Sequence, residues 1–386
     1  MPNSPVTDHW DPYSEAVQQD QRHAYDRMRE QCPVAHSAVQ GWTVFRHADV
    51  ERILHAPGTF SNVVSRHLSV PNGMDPPQHT SFRQLIEPYF GAERVLAFEP
   101  ECRRIARGLL DAATGHDTVE IMDAFARPFA ARVQCAFLGW PEKTAPTLAA
   151  WALANQAATL RRDREALNQL AAEFEGLVDD ALESRRAQGV RGQDTTSELM
   201  RETAEGGPLH DAEIASILRN WTVGEIGTIS TSVGILVHAL SEQPHLQRHL
   251  RTHPDRIGDA IEEVLRWHGP LVDNRRVTRK PVTLGTQQLE TGERITINWV
   301  AANRDPEAFT APDALDIDRD QSANLLWGAG IHVCPGASLA QMELRIVLEE
   351  LLGCTNTIAL APGEAPELAR YPASGFSRLP VRFGWQ

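Results

Sequence analysis

The sequence predicts a mainly α-helical body with small β-sheets, and three observations lead to that class. From Glu93 to Leu250 the chain is rich in Ala, Leu, Glu and Arg, all good helix formers, with breakers at Gly139-Trp140-Pro141 and Gly206-Gly207-Pro208. From Val272 to Val300 the texture changes to short β-rich pieces between turns, RRVTRKPVTLG and QQLETGERITINWV, which read as small hairpins. Strands do not alternate regularly with helices, which argues against a parallel-sheet enzyme.

Taken in order, the elements agree with that class. The first stretch, MPNSPVTDHWDPYSEAVQQDQ, is polar and proline-punctuated and carries neither the basic nor the apolar region of a secretory signal. Gly189 to Thr196 (GVRGQDTT) reads as an exposed loop between helices. Val223 to Leu240 is the longest apolar-leaning run, but Glu225, Thr228, Ser230, Thr231, Ser232 and His238 interrupt it. It falls short of the roughly 18 apolar residues of a membrane span and reads as a buried helix. Pro312 to Leu326 is irregular and polar, and Ala337 to Leu352 returns to helix. With no internal repeat and no Gly/Ser linker, residues 1–386 are expected to form a single domain with a minor β region around 272–300.

Hydrophobic residues make up 42% and charged residues 23% of the 386, enough for a substantial core. Lys plus Arg number 37 against 51 Asp plus Glu, a net charge of −14 that speaks against nucleic acid as the main partner. The five cysteines are odd in number, widely spread and free of CxxC pairing. They suit a reducing cytoplasm and disfavour a disulfide framework or a zinc site.

The chemistry concentrates in Trp327-Gly328-Ala329-Gly330-Ile331-His332-Val333-Cys334-Pro335-Gly336. Its glycines permit tight turns and close backbone approach. Cys334 lies just ahead of an amphipathic helix, whose free N–H groups and positive dipole end favour a thiolate. A thiolate in such a cradle can bind a soft or redox-active metal from one side. For an arbitrary cysteine, a buried structural role beside a glycine turn is the plainer reading.

The spacing W-G-x-G-x-H-x-C-x-G resembles the haem-binding loop of the cytochrome P450 family, F-G-x-G-x-H-x-C-x-G, with Trp327 at the aromatic position. The resemblance implies the P450-like triangular helical fold enclosing haem b (iron protoporphyrin IX). It makes Cys334 the axial ligand of the haem iron and His332 a donor to a haem propionate, with Trp327, Gly328 and Gly336 shaping the loop. The thiolate would favour O–O cleavage over reversible oxygen carriage. The indole N–H of Trp327 implies a shifted redox potential, of undetermined sign.

Further strings agree in chain order, from about residue 40 to the C-terminus. Glu263 and Arg266 match the family's E-x-x-R pair and Arg319 its third, basic member, a buried triad that fixes the loop; taken alone, the pair reads as a surface ion pair. Asp75-Pro76-Pro77-Gln78-His79-Thr80-Ser81-Phe82-Arg83 resembles D-P-P-x-H-x-x-x-R. His79 and Arg83 would join Arg276 and His332 as a cationic set for the two propionates. Ala302-Asn303-Arg304-Asp305-Pro306 is a further family-like string with a structural role.

The match weakens at Val223-Gly224-Glu225-Ile226-Gly227-Thr228-Ile229-Ser230. Counting back from Pro244 places Thr228 at the family's oxygen-side threonine, Gly227 at its acid and Glu225 where a glycine is usual. A register one residue earlier restores Gly224 and puts Gly227 at the threonine. Thr228 is the preferred assignment. Proton supply would then come through water or from Glu225, whose alternative role is an interhelical ion pair.

The function implied is monooxygenation of a small, mainly apolar organic substrate, by hydroxylation or O- or N-dealkylation. Electrons would come from a separate ferredoxin or flavodoxin-type donor with its reductase, because the chain ends 52 residues after Cys334. Docking is expected on the Cys334 side, near Arg103 and Arg104. No membrane partner is expected. The altered stretch at 225–227 keeps open a peroxide-driven peroxygenase or a haem-thiolate dehydratase, and a non-catalytic haem sensor is a third reading. The fold implied builds the pocket from Ser61 to Met74, a helix pair near Ala150 to Leu182 and residues around Val272. The turn Ser374-Gly375-Phe376 would close it.

Overall fold

The computed structural model describes residues 10–204 and 206–386, so the first nine residues of the segment read as lacking a signal lie outside the described residues. Eight helices build the site: α1 (Gln78–Ile86), α2 (Ala92–Ala113), α3 (Arg127–Leu138), α4 (Ala145–Arg161), α5 (Arg164–Ala187), α6 (Asp211–Glu242), α7 (Ile257–Trp267) and α8 (Ala337–Cys354). Local chemistry places their ends. Arg162 adopts a left-handed φ of 55° between α4 and α5, and the Asp163 carboxylate then accepts the Ala166 N–H at 3.0 Å to start α5. The Glu213 side chain accepts the His210 N–H at 2.8 Å, half of a capping box that opens α6.

Packing centres on α6, which passes through the largest apolar cluster and touches α3, α7 and α8. By length and hydropathy α6 could cross a membrane, a point the sequence reading did not grant it. Two thirds (67%) of its most apolar window is buried inside the protein, as a core helix requires.

The β region is larger than local hairpins. Strands β1 (Val34–Ser37), β2 (Gly41–Val44), β3 (Phe60–Ser61), β4 (Asp273–Thr278) and β5 (Arg294–Asn298) form one sheet in the order β1-β2-β5-β4-β3. The β5–β2 pairing is parallel, with Thr296 opposite Thr43, and the other neighbours are antiparallel. Only the inner pair, Val282–Leu284 with Gln287–Leu289, is the expected local hairpin. The sequence reading missed β1 to β3 because strands of two to four residues carry too little alternation to register. A C-terminal sheet of Thr355–Leu360, Pro380–Trp385 and Val119–Glu120 escaped for the same reason.

The exposed-loop expectation for Gly189 to Thr196 fails at its end. Thr195 and Thr196 are buried and open a short helix, Thr195–Leu199. The Thr196 hydroxyl donates to the Leu138 carbonyl at 2.8 Å and accepts the Trp140 indole N–H at 3.0 Å. Gly139, at φ 72°, lets this segment approach: a Cβ there would lie 2.2 Å from that of Asp194.

Candidate active site

A cavity of about 1250 Å³ lies between α6, the Cys334 loop, α4 and α5, and the segment after β3. That exceeds the roughly 300–1,000 Å³ of an ordinary ligand pocket and leaves room for a flat macrocycle and a second molecule. Cys334 lines it. The loop is closed by the Cys334 N–H donating to the Trp327 carbonyl at 2.8 Å. Gly330, at φ 69°, sits where a Cβ would lie 2.3 Å from the Leu54 carbonyl oxygen, so only glycine fits. Burial pushes the Cys334 thiol up; the Gly336 amide aimed at sulfur and the Arg83 charge pull it down by less. The helix end thus offsets part of the cost of burying the thiolate, and a bonded metal cation would offset more.

His79, His332 and Arg276 line the same cavity. The His79 and His332 rings lie 4.2 Å apart, both Nε2 atoms are buried, and neither has a hydrogen-bond partner. Burial, then His79 and Arg276, pushes His332 down to about 3. Arg276 is itself pushed down to about 10 by burial, with only distant Asp75 opposing. Buried donors and cations without an anion are costly and fit a doubly anionic ligand. Arg83 lines the cavity too; its Nε donates to Glu87 at 2.8 Å and its Nη1 to the Val333 carbonyl at 2.6 Å. It ties α1 to the cysteine loop.

Two adjacent glutamates on α7 hold the loop from behind. Glu263 and Arg266 are fully buried, joined by Nε–Oε2 at 2.8 Å and Nη2–Oε1 at 2.9 Å. Arg319 Nε adds contacts of 3.0 and 3.2 Å, and the Asp316 amide and Gln321 donate at 3.0 Å each. Arg266 and Arg319 pass this anchoring on to the Asn303, Pro312, Thr310 and Ala314 carbonyls, and the Asn303 side chain accepts the Leu325 N–H at 2.8 Å. Arg304, in the same string, pairs with Asp26 and Asp313. Glu262, which the sequence reading passed over, accepts the Trp327 indole N–H at 2.7 Å and the Gln341 amide at 2.7 Å. The indole is therefore spent on Glu262 and not on the Cys334 sulfur.

On α6 the cavity is lined by Gly224, Glu225 and Thr228, and Gly227 is not among the lining residues. The Thr228 hydroxyl donates to the Gly224 carbonyl at 2.6 Å, the back-bond to i−4 that loosens a helix. The ion-pair alternative for Glu225 does not hold: its carboxyl meets Glu343 of α8, another acid. Glu343 was missed, although an acid at i+4 from Leu339 and i−4 from Val347 on an apolar row is a readable signal.

The Cytochrome P450 family profile matches residues 144–354. A cyclomarin C epoxidase of Salinispora arenicola is 30% identical over 84% of this chain and 86% of its own. A vitamin D(3) 25-hydroxylase of Pseudonocardia autotrophica is 30% identical over 98% of this chain and 97% of its own. The chain belongs to the cytochrome P450 family. It superposes on the Bacillus subtilis 168 bacillaene polyketide synthase cytochrome P450 PksS with a TM-score of 0.88, at 26% identity, over 97% of this chain and 100% of that one. Like those relatives this cytochrome P450 is an oxidoreductase, and the family cofactor is haem iron.

The residues present fit that group: one sulfur, two orphaned imidazoles, a buried guanidinium and a glycine-rich loop lie on one cavity. The walls of this P450's cavity are mainly apolar, with polar side chains set among them. Asn155, Arg164 and Asn168 from α4 and α5 line it beside Trp151 and Leu167, with Asn62, His67 and Asn72 from the segment after β3. Pro270, Leu271, Asn274 and Arg275 line it, while Val272 is buried behind them. The turn Ser374-Gly375-Phe376 does not close the cavity; Phe376 packs on His238 and His268, with centroids 4.5 and 5.8 Å away.

Arg103, expected near the docking face, has carboxylate partners of its own. It is locked to Glu99, Glu349 and Glu350 at 2.6–2.8 Å. Those α8 glutamates lie a dozen residues past the helix start, about 20 Å along the axis from the cysteine loop. Arg104 pairs with Glu101 and reaches Glu142 at 3.8 Å. The Arg104 side chain is 57% exposed, whereas Arg103 is engaged by three carboxylates.

Proposed function

We propose that this cytochrome P450 is a monooxygenase that places one oxygen atom of dioxygen into an organic substrate, by hydroxylation or O- or N-dealkylation. The carrying observation is the Cys334 sulfur on the wall of a cavity that His79, His332 and Arg276 also line, with the Gly336 amide aimed at it. When bound, haem b supplies dioxygen activation at thiolate-ligated iron. Cys334 would ligate the iron, His79, His332 and Arg276 would hold the propionates, and the Glu263–Arg266–Arg319 triad would keep the loop in register. The Thr228 hydroxyl orients a proton donor over the cavity. The polar side chains of α4 and α5 in a mainly apolar lining favour a substrate with an apolar body and a hydrogen-bonding or anionic end.

Electrons come, in this reading, from a separate ferredoxin or flavodoxin-type protein with its reductase. The chain acts as one catalytic unit in the cytoplasm, which its free cysteines suit. The test is the optical spectrum of reduced protein under carbon monoxide. The red-shifted band of thiolate-ligated haem is expected in the wild type and absent in Cys334→Ala; the same band in both would end the proposal. Dioxygen with a reductase system should support product formation. One observation favours the peroxide-driven alternative: Gly227 stands directly before Thr228 with no proton to give. Turnover with peroxide and none with dioxygen plus reductase would select it.

A further inference from the structure

Five arginines line the cavity, Arg83, Arg164, Arg219, Arg275 and Arg276, against a single acid among its lining residues, Glu225. That excess runs against the chain as a whole, whose net charge is −14. Three of the five are accounted for. Arg83 is held by Glu87 and the Val333 carbonyl, and Arg276 is buried with the orphaned imidazoles that fit the propionates. Arg219 donates to the Leu68 carbonyl at 2.7 Å and lies 4.0 Å from Glu175. The side chains of Arg164 and Arg275 make no hydrogen bond or ion pair among the described residues.

Both residues are exposed while lining the cavity, which puts them at its opening. Arg164 starts α5, two residues after Arg162, and Arg275 lies on β4. Tyr13 ties the two elements together. The Arg162 guanidinium lies over its ring, 5.0 Å from the centroid, and burial pushes its phenol up while Arg275 and Arg162 pull it down by less. The acids close by in the chain are engaged or turned away. Asp163 caps α5 through the Ala166 N–H, and Asp273 accepts from Tyr371 at 2.7 Å and Gln40 at 3.1 Å. Glu165 follows Arg164 directly and so does not face it around the helix. The same cavity carries apolar side chains open to solvent, Leu68, Val223 and Leu271, each 41–44% exposed. Unpaired cations beside bare apolar surface are what an amphiphilic anion would cover.

We propose that Arg164 and Arg275 form an anion-binding rim, and that this cytochrome P450 takes substrates bearing a carboxylate on an apolar body. A guanidinium presents paired N–H donors matched to the two oxygens of a carboxylate, which suits arginine to the task better than lysine. With the anion held at the opening, the apolar body extends along Leu271 and Leu68 into the cavity. The rim then sets the position of attack by distance from the carboxylate. This names the substrate class of the monooxygenase reading, on which only the purpose of the rim rests.

Isothermal titration calorimetry of the haem-loaded protein tests the rim, with straight-chain carboxylates from octanoate to hexadecanoate as probes, each beside its methyl ester. At low salt the best-fitting acid should bind on the order of 10-fold more tightly than its ester, an advantage that shrinks as ionic strength rises. Arg164→Gln and Arg275→Gln should each reduce that advantage and the double variant remove it, with affinity for the ester unchanged. Arg382→Gln, which takes the same charge from an exposed strand outside the cavity lining, should preserve it. No acid outbinding its ester anywhere in the series, or an advantage that survives the double variant, overturns the proposal. A preference confined to alkyl phosphates would overturn the carboxylate as the class. The titration needs neither electrons nor dioxygen, so failure of turnover would strike the monooxygenase reading and leave the rim to be decided by affinity.

Discussion

An indole N–H is the atom by which this cysteine loop departs from the family pattern, and its partner settles what it does. Trp327 donates to Glu262 at 2.7 Å, so the extra donor fastens the loop to α7 and leaves the sulfur's hydrogen bonding to the Gly336 amide. Trp327→Phe should lower stability by about 0.5–1.5 kcal/mol, one net hydrogen bond, read as a fall in Tm. The haem absorption of the loaded protein should change little. A large shift in the thiolate band of that variant would mean that the indole acts on the sulfur after all.

Among the elements, α7 does more for the site than its length suggests. Eleven residues place Glu262 against Trp327 of the loop and Glu263 against the irregular segment 303–321. Glu263→Ala would leave the Arg266 cation in a fully buried position with its ion-pair partner gone. A loss of about 3–5 kcal/mol is expected, measured by chemical denaturation. Arg266→Lys should not rescue function, since one ammonium cannot reproduce the forked contact to Glu263 and the bonds to the Asn303 and Pro312 carbonyls. The E-x-x-R spacing was legible in the chain; its burial and the reach of Arg319 were not, because i, i+3 pairs look alike on a wet and a dry helix face.

Across the whole molecule, buried carboxyls of opposite tendency frame the pH range of stability. Burial would raise Glu263, but Arg266, the Asp316 amide and Gln321 overcome it, and its carboxyl is held below the ordinary 4.5. Its stabilisation is present above that value and lost as pH falls through the folded pKa. Glu225 has the opposite sign: raised to about 7, it stabilises below 4.5, and that contribution is lost as pH rises from 4.5 through about 7. Thermal melts between pH 4.5 and 7 should therefore fall more steeply for the wild type than for Glu225→Gln, by up to about 1.4 kcal/mol per pH unit. Parallel curves would count against a raised Glu225 in the folded protein.

The linear sequence by itself determined the helical class, the cysteine loop, the anchoring residues Glu263, Arg266 and Arg319, and the four basic residues His79, Arg83, Arg276 and His332. Each rests on local spacing, which a chain carries whether folded or not. Tertiary structure decided the rest. It joined β2 to β5 across some 250 residues, turned Arg83 toward the loop and enclosed Arg103 in carboxylates. It also set Glu343 against Glu225. These outcomes depend on which faces are pressed together and stripped of water, and burial, more than residue type, decides whether an acid there keeps its proton.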